Sequence, residues 1–451
     1  MNIIIVGSGK VGETLATQLN KEGNDVTIID ENAEKVREIA NKLDILGVIG
    51  NGASRATQKD AGIDKADLLI AVTGTDEVNL LSCLVAKKSA GCRTIARLKN
   101  PEYNTDAPYF KDELGLAMVI NPEEAAAKEI SRILKFPSAL KIESFAKGRT
   151  ELLTFRIPEG SRIAGMSIKE VAMKYKSNVT FCTIERDNEV HIANGNFVFA
   201  EKDAVSFIAS SKDALDFFAK IDHKMQPIKD VIIVGGGEIS HYLCSLLDRS
   251  GISVKVIEKN AERCNALAAD FDRAVIINGD PADEDTLREE GVAKSSAFVA
   301  LTGFDEENIL LSLFAKRSGS RKVITRINRI EYDDIINHLD LDSIVYPKNI
   351  TADMIISYVR AVNNTRGSNI ETLYKIVKGK AEAAEFTIGE GSPIIGRPLS
   401  ELSFQQNVLI AAIQRGGAHI APRGQSVIEA GDSVIVVTKG IVLNDISDIL
   451  R

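Results

Sequence analysis

The chain contains its own copy. Residues 3–30 (IIIVGSGKVGETLATQLNKEGNDVTIID) align without a gap on residues 231–258 (VIIVGGGEISHYLCSLLDRSGISVKVIE). Residues 71–91 match 300–320, and IARLKNPEY at 95–103 matches ITRINRIEY at 324–332. The likeness continues in the second part of each half, where EGSRIAG from Glu159 matches EGSPIIG from Glu390, and HIA at His191 is matched with HIA at His419. A repeat of this length means two copies of a whole folding unit, read as A1–B1–A2–B2. The expected bounds are 1–137 for A1, 138–224 for B1, 229–366 for A2 and 367–451 for B2.

The A segments alternate short apolar runs with amphipathic helical patterns. In A1 a strand at 3–6 leads to a helix with Val11, Leu15 and Leu19 on one face, ending at Gly23. Further strands are expected at 26–29, 45–49, 68–72, 94–98 and 118–120, with helix-length segments between them. That alternation specifies an α/β, Rossmann-type, doubly wound parallel sheet. The B segments carry strand-like pieces at 152–157, 179–184 and 204–208 bounded by Gly, Asn and Asp turns, and are read as small α+β domains.

With 451 residues the chain exceeds what one core can hold, and 44% hydrophobic residues let every part fold. No apolar run reaches the roughly 18–20 residues that span a bilayer, and Met1 runs straight into the first strand, so a cytoplasmic location is expected. The five cysteines (Cys83, Cys92, Cys182, Cys244, Cys264) have no C-x-x-C spacing and are read as reduced structural thiols rather than metal ligands. A net charge of -8 argues against nucleic acid as a partner.

Gly7, Gly9 and Gly12 form G-x-G-x-x-G between a strand and a helix, the setting of a dinucleotide-binding loop. Gly7 allows the tight turn, Gly9 the approach of a pyrophosphate, and Gly12 the packing of helix on strand, while N–H groups at the helix start face the phosphates. Asp30, ending the second strand, can accept ribose hydroxyls and would repel a 2'-phosphate. Thr73 and Gly74, after the fourth strand, lie across the crevice; Thr73 can donate to a phosphate or ribose oxygen. Asn51 and Gly52 either line the adenosine side or make a simple turn. Arg97 is read either as a planar donor for phosphate or as a salt-bridge partner.

A2 keeps Gly235 and Gly237 but has Ser240 in place of Gly12, where a side chain is expected to crowd the helix–strand contact. Glu258 replaces Asp30 and can still reach a ribose; Thr302, Gly303 and Arg326 remain. A2 is read as a second nucleotide site, weaker or differently selective. An oxidoreductase needs an acid or base beside the nicotinamide, and none stands out. The histidines (His191, His223, His241, His338, His419) read as surface or helix positions. An NAD-dependent oxidoreductase with duplicated cofactor domains remains the alternative, with a nucleotide-binding scaffold unrelated to transport as a third reading.

The GSGKVG loop with Asp30, the TGTDEVN loop, IARLKNPEY and the A–B–A–B order resemble the TrkA family of potassium-uptake regulatory proteins, in which tandem RCK units each pair a Rossmann-type domain with a small C-terminal domain. The resemblance covers essentially the whole chain. It implies a non-catalytic regulator on the inner face of the cell membrane, bound to an integral membrane potassium transporter subunit (TrkH/TrkG-like) and responding to NAD(H) and to ATP or ADP. It also implies a homo-oligomer, four duplicated chains supplying eight Rossmann-type units. By the same resemblance Gly7, Ser8, Gly9, Lys10, Val11, Asp30, Thr73, Gly74 and Arg97 contact nucleotide. Gly235, Gly236, Gly237, Glu238, Ile239, Glu258, Thr302, Gly303 and Arg326 stand at the matching A2 positions.

Overall fold

In a computed structural model, the chain is described at all positions except 101, 102, 104, 105, 188, 224–226, 329–335, 337, 338, 340, 365–369, 378, 379, 442 and 444. His338 and part of the expected A2–B2 boundary lie outside the described residues. The chain forms two compact units, one from 1–135 with 227–356 and the other from 136–226 with 357–451. The two A segments therefore share one unit and the two B segments the other.

A1 contributes β1 (Asn2–Val6), β2 (Asp25–Asp30), β3 (Leu46–Ile49), β4 (Leu68–Ala71), β5 (Arg93–Arg97) and β6 (Met118–Ile120). B1 contributes β7 (Lys141–Phe145), β8 (Thr150–Arg156), β9 (Thr180–Arg186), β10 (Glu189–Ile192) and β11 (Ala204–Ala209). A2 repeats the first set as β12 (Asp230–Val234), β13 (Ser253–Glu258), β14 (Val275–Asn278), β15 (Ala297–Ala300), β16 (Lys322–Arg326) and β17 (Ser343–Val345). B2 holds β18 (Ile370–Ile376), β19 (Ala381–Thr387), β20 (Val408–Arg415), β21 (Ala418–Ile420) and β22 (Ser433–Thr438).

Both A sheets are parallel, ordered β3-β2-β1-β4-β5-β6 and β14-β13-β12-β15-β16-β17. The order reverses between β1 and β4, and between β12 and β15, which opens the crevice where ligands of such sheets collect. β4 and β15 are buried at every position, as a strand covered on both faces must be. The helix Pro122–Lys135 leaves A1 and buries Ala126, Ala127, Ile130 and Leu134 in the core of A2, beside Leu243 and Leu247 of the helix Glu238–Arg249. At the head of that contact Asn121 Nδ2 donates to Tyr242 Oη at 2.9 Å. A1 thus completes the core of A2, which explains why the two halves form one unit.

The B segments are antiparallel, ordered β10-β9-β11-β8-β7 and β18-β19-β22-β20-β21. One face of the B1 sheet holds an aromatic core with Phe155, Phe181, Phe207 and Phe217, covered by the helix Ser211–Lys220. The other face meets the B2 sheet through Phe145, Leu152, Cys182 and Val190 against Ala383, Ala412, Ile435 and Val437. Contacted on both faces, β11 is buried along its full length. Each B segment also carries a bidentate clamp: Arg186 Nε and Nη2 both donate to Asp203 at 2.7 Å, and Arg415 donates to Asp432 at 2.9 and 2.8 Å.

The structure corrects the pairing of the two HIA triplets. Arg186 pairs with Glu189 and Arg415 with Ala418, so the hairpins superpose with Val190 on His419 and His191 on Ile420. Because strand side chains alternate, the one-residue offset places the two histidines on opposite faces. His419 occupies the slot of buried Val190 and contacts Thr150 and Gln414, whereas His191 is 41% exposed.

Candidate nucleotide sites

The A1 loop has the geometry its glycines were read for. Gly7 sits at φ +111°, and a Cβ there would meet Val72 and Thr73 backbone atoms at 3.0 Å. A Cβ on Gly12 would fall 1.9 Å from Gly7 O, so only glycine permits this approach of helix to loop. A Cβ on Gly9 meets nothing within 4 Å, which leaves the loop open on its outer side. The helix Lys10–Lys21 then starts with no side-chain cap, its first-turn amides left for a ligand.

Asp30 is partly exposed and accepts the Ser8 amide at 2.6 Å and the Asn32 amide at 2.9 Å. Burial pushes its pKa up, but these amide hydrogen bonds more than offset it and hold the carboxyl below the usual range. Gly52 closes against β1, where a Cβ would meet Val6 Cγ1 at 2.1 Å. Asn51 Oδ1 accepts the Ala53 amide at 2.8 Å, a local turn. Of the two readings open for this pair, the turn is the one the hydrogen bonds describe.

Thr73 adjoins the loop, but its hydroxyl is already committed. Thr73 Oγ1 and the Thr73 amide both donate to Asn79 Oδ1 at 2.8 Å. Asn79 Nδ2 donates to Arg97 O at 2.9 Å and to Thr73 O at 3.3 Å. This fully buried asparagine ties the ends of β4 and β5 together, and the sequence reading missed it. Asn308 does the same in A2, with the Thr302 amide at 2.8 Å and with Thr302 O and Arg326 O at 3.1 Å. The signal was present: both loops, TGTDEVN and TGFDEEN, end in asparagine.

Arg97 Nη2 donates to Glu123 Oε1 at 3.3 Å, so the salt-bridge reading is met. Among the described residues, its Nε and the second Glu123 oxygen are buried without a partner, as is Arg326 Nε. Burial holds the Arg326 guanidinium below the usual arginine value, opposed by Glu123 and Asp305. Glu123 thus faces arginines of both repeats. Lys10, Val11 and Arg97 of A1 share a cleft of about 340 Å³ with Ile239, Gly303 and Arg326 of A2. Gly74 carries no contact within 4 Å of a Cβ and leaves its side of the crevice open.

In A2, Gly235, Gly236, Gly237, Glu238, Glu258, Thr302, Gly303 and Arg326 line one cavity of about 510 Å³. Ser240 does sit close against the loop, and its Oγ donates to Gly235 O at 2.5 Å, so the hydroxyl is satisfied within the tight helix–strand contact. His241, expected at a surface or helix position, also lines this cavity, paired with Asp270 at 3.0 Å. At the positions of Asn51 and Gly52 stand Asp280 and Pro281, and Pro281 forms part of the cavity wall. An open glycine cradle, an amide-held carboxylate and buried arginine donors without partners fit an adenine nucleotide in both repeats.

Comparison with known proteins agrees with this architecture. The TrkA-N domain family matches residues 3–122 and 231–347, and the TrkA-C domain family matches 152–222 and 383–451. The Trk system potassium uptake protein TrkA of Halomonas elongata is 34% identical over 443 residues, covering 97% of this chain and 95% of its own. The chain belongs to the TrkA family. A TrkA homolog of Methanosarcina mazei is 32% identical over 458 residues, covering 99% of each chain. Among solved structures, the GsuK channel bound to NAD shares the fold with TM-score 0.64 at 16% identity, covering 97% of this chain and 77% of that one. GsuK bound to ADP aligns with TM-score 0.51 at 14% identity, over 79% and 69% of the two chains. Among the described residues no helix of this TrkA-family chain is long and apolar enough to cross a membrane.

Proposed function

We propose that this chain is a nucleotide-sensing regulatory subunit of a Trk-type potassium uptake system, binding NAD(H) or ATP/ADP in its A segments and gating an integral membrane partner without consuming the nucleotide. The supporting observation is the convergence of Arg97 and Arg326, one from each repeat, on a single cleft with Glu123 between them. A phosphate arriving at either loop competes with Glu123 for an arginine and so favours one arrangement of the two repeats over another. Ligands shift such an equilibrium only through differential affinity, and a tenfold bias needs about 1.4 kcal/mol. One charge-assisted contact supplies that much. The segments 1–137 and 229–366 are the sensing parts of this account, and 138–224 and 367–451 the parts that assemble it. It acts as a homo-oligomer, a tetramer of duplicated chains, on the cytoplasmic side of the membrane. NAD bound to the GsuK channel and ADP bound to GsuK support the ligand class.

The test is potassium flux through the reconstituted membrane partner with ATP, ADP or NADH added to wild-type chain and to Arg97→Ala. The account expects flux to differ between nucleotides and Arg97→Ala to flatten that difference. Flux indifferent to every nucleotide overturns it, and steady hydride transfer by the purified chain would favour an oxidoreductase instead.

A further inference from the structure

The two glycine loops superpose, but two of the charges around them are exchanged. At the first helical position, beside the phosphates, A1 has Lys10 and A2 has Glu238. Directly after the ribose-facing acid, A1 has Glu31 and A2 has Lys259. At these two positions the charges are exchanged between A1 and A2, while both repeats keep a cation in the following helix, Lys35 and Arg263, and an arginine at the phosphate end, Arg97 and Arg326.

A2 also withdraws its acid. Ser8 of A1 becomes Gly236, where a Cβ would come within 2.9 Å of Glu258 Cγ. The freed volume lets the longer glutamate fold under the loop, its oxygens taking the Gly236 amide at 2.6 Å and the Asn260 amide at 2.7 Å. Glu258 is left 5% exposed, whereas Asp30 stays partly exposed at its own site. Two exposed cations, Lys259 and Arg263, line the cavity around it; A1 has Lys35 at the position of Arg263, so Lys259 is the cation that A2 adds. In sheets of this class the group after the second strand reads the ribose 2' position: a carboxylate accepts the hydroxyl, and a nearby cation accommodates a 2'-phosphate.

Building on the nucleotide-sensing reading, we propose that A2 is selective for an adenine dinucleotide carrying a phosphate on the adenosine ribose, of the NADP(H) type, while A1 takes nucleotides without that phosphate. At neutral pH a phosphate monoester carries close to two negative charges, which the Lys259 ammonium and the Arg263 guanidinium meet together. Glu238 opposes a long polyphosphate tail at the helix start, so the ligand that suits A2 has its extra charge on the ribose. The two sites then report different pools, one by phosphate tail and one by ribose phosphate.

The experiment is calorimetry on the full chain with 2',5'-ADP against 5'-AMP, and with NADPH against NADH. It uses wild type, Asp30→Ala, Lys259→Glu and Lys259→Gln, each verified as folded by its thermal transition. Expected are one NADPH per chain in wild type, NADPH binding that is retained in Asp30→Ala, and a preference for 2',5'-ADP over 5'-AMP that falls tenfold or more in Lys259→Glu and less in Lys259→Gln. NADPH binding that disappears in Asp30→Ala, or a preference that falls by less than tenfold in Lys259→Glu, overturns the assignment and leaves nucleotide sensing intact. Binding of none of these nucleotides by wild type would overturn the nucleotide reading itself.

Discussion

Replacing Asn79 by alanine tests how the A1 crevice is built. Asn79 is 0% exposed and joins Thr73, after β4, to the Arg97 carbonyl at the end of β5. Alanine leaves the Thr73 amide without its acceptor and the Arg97 carbonyl without its donor, and leaves the Thr73 hydroxyl only its longer contacts with the Thr75 backbone. A buried polar group left without a partner costs about 1–3 kcal/mol, and partial access of water at the crevice reduces the total for the two backbone groups to about 2–4 kcal/mol. For a unit of this size that corresponds to a fall in melting temperature on the order of 5–10 °C. The same variant lets the Thr73–Gly74 loop and Arg97 drift apart, so nucleotide affinity at A1 falls as well. Differential scanning calorimetry together with nucleotide titration reads both effects, and Asn308→Ala provides the same perturbation in A2. A melting temperature within 1 °C of wild type, with unchanged affinity, would refute the claim that this side chain holds the site together.

Gly12→Ala drives a Cβ to within 1.9 Å of Gly7 O, and nucleotide titration should show A1 affinity reduced at least tenfold. Ser240→Gly removes the Oγ bond to Gly235 O and should lower stability by about 1 kcal/mol in urea unfolding. Asp203→Ala strips the partly exposed Arg186 of its buried carboxylate partner and should destabilise the B unit by about 1.5–3 kcal/mol in the same assay, beyond an exposed pair such as Arg162–Asp222. Burial lowers the pKa of His419, opposed by Asp213, so folding favours the neutral ring. A depressed folded pKa gives stability that is complete above the unfolded value of about 6.5 and is lost as pH falls through the folded value. Thermal scans from pH 7.5 to 5 should therefore show a declining B-unit transition, and His419→Val, which installs the residue found at position 190, should flatten the decline.

The parallel sheets were legible because every strand of A1 has a counterpart in A2 and because G-x-G-x-x-G followed by Asp30 ties a strand, a turn and a helix to one geometry. Long-range consequences were not. That the helix Pro122–Lys135 serves the core of the other repeat depends on where its Ala126, Ile130 and Leu134 face lands, and periodicity reveals a buried face without its partner. Asn79 reads locally as a polar residue near a helix start; its role appears only when β4 and β5 bring Thr73 and Arg97 beside it. The HIA triplets misled because three matching letters outweighed turn length, whereas register follows the turns at Arg186–Glu189 and Arg415–Ala418. Ser240 reads by volume as crowding the helix–strand contact, and the hydrogen bond of its hydroxyl to Gly235 O depends on a backbone geometry that volume does not convey.

Direct titration of the purified full chain with ADP and NADH tests the central claim most plainly. The account predicts saturable binding at A1 that Asp30→Ala weakens by about 1.5–3 kcal/mol, the range for hydrogen bonds to a charged group, and that Arg97→Ala weakens more for ADP than for adenosine. Wild-type chain that binds neither nucleotide at millimolar concentration, or binding that both substitutions leave unchanged, would contradict it.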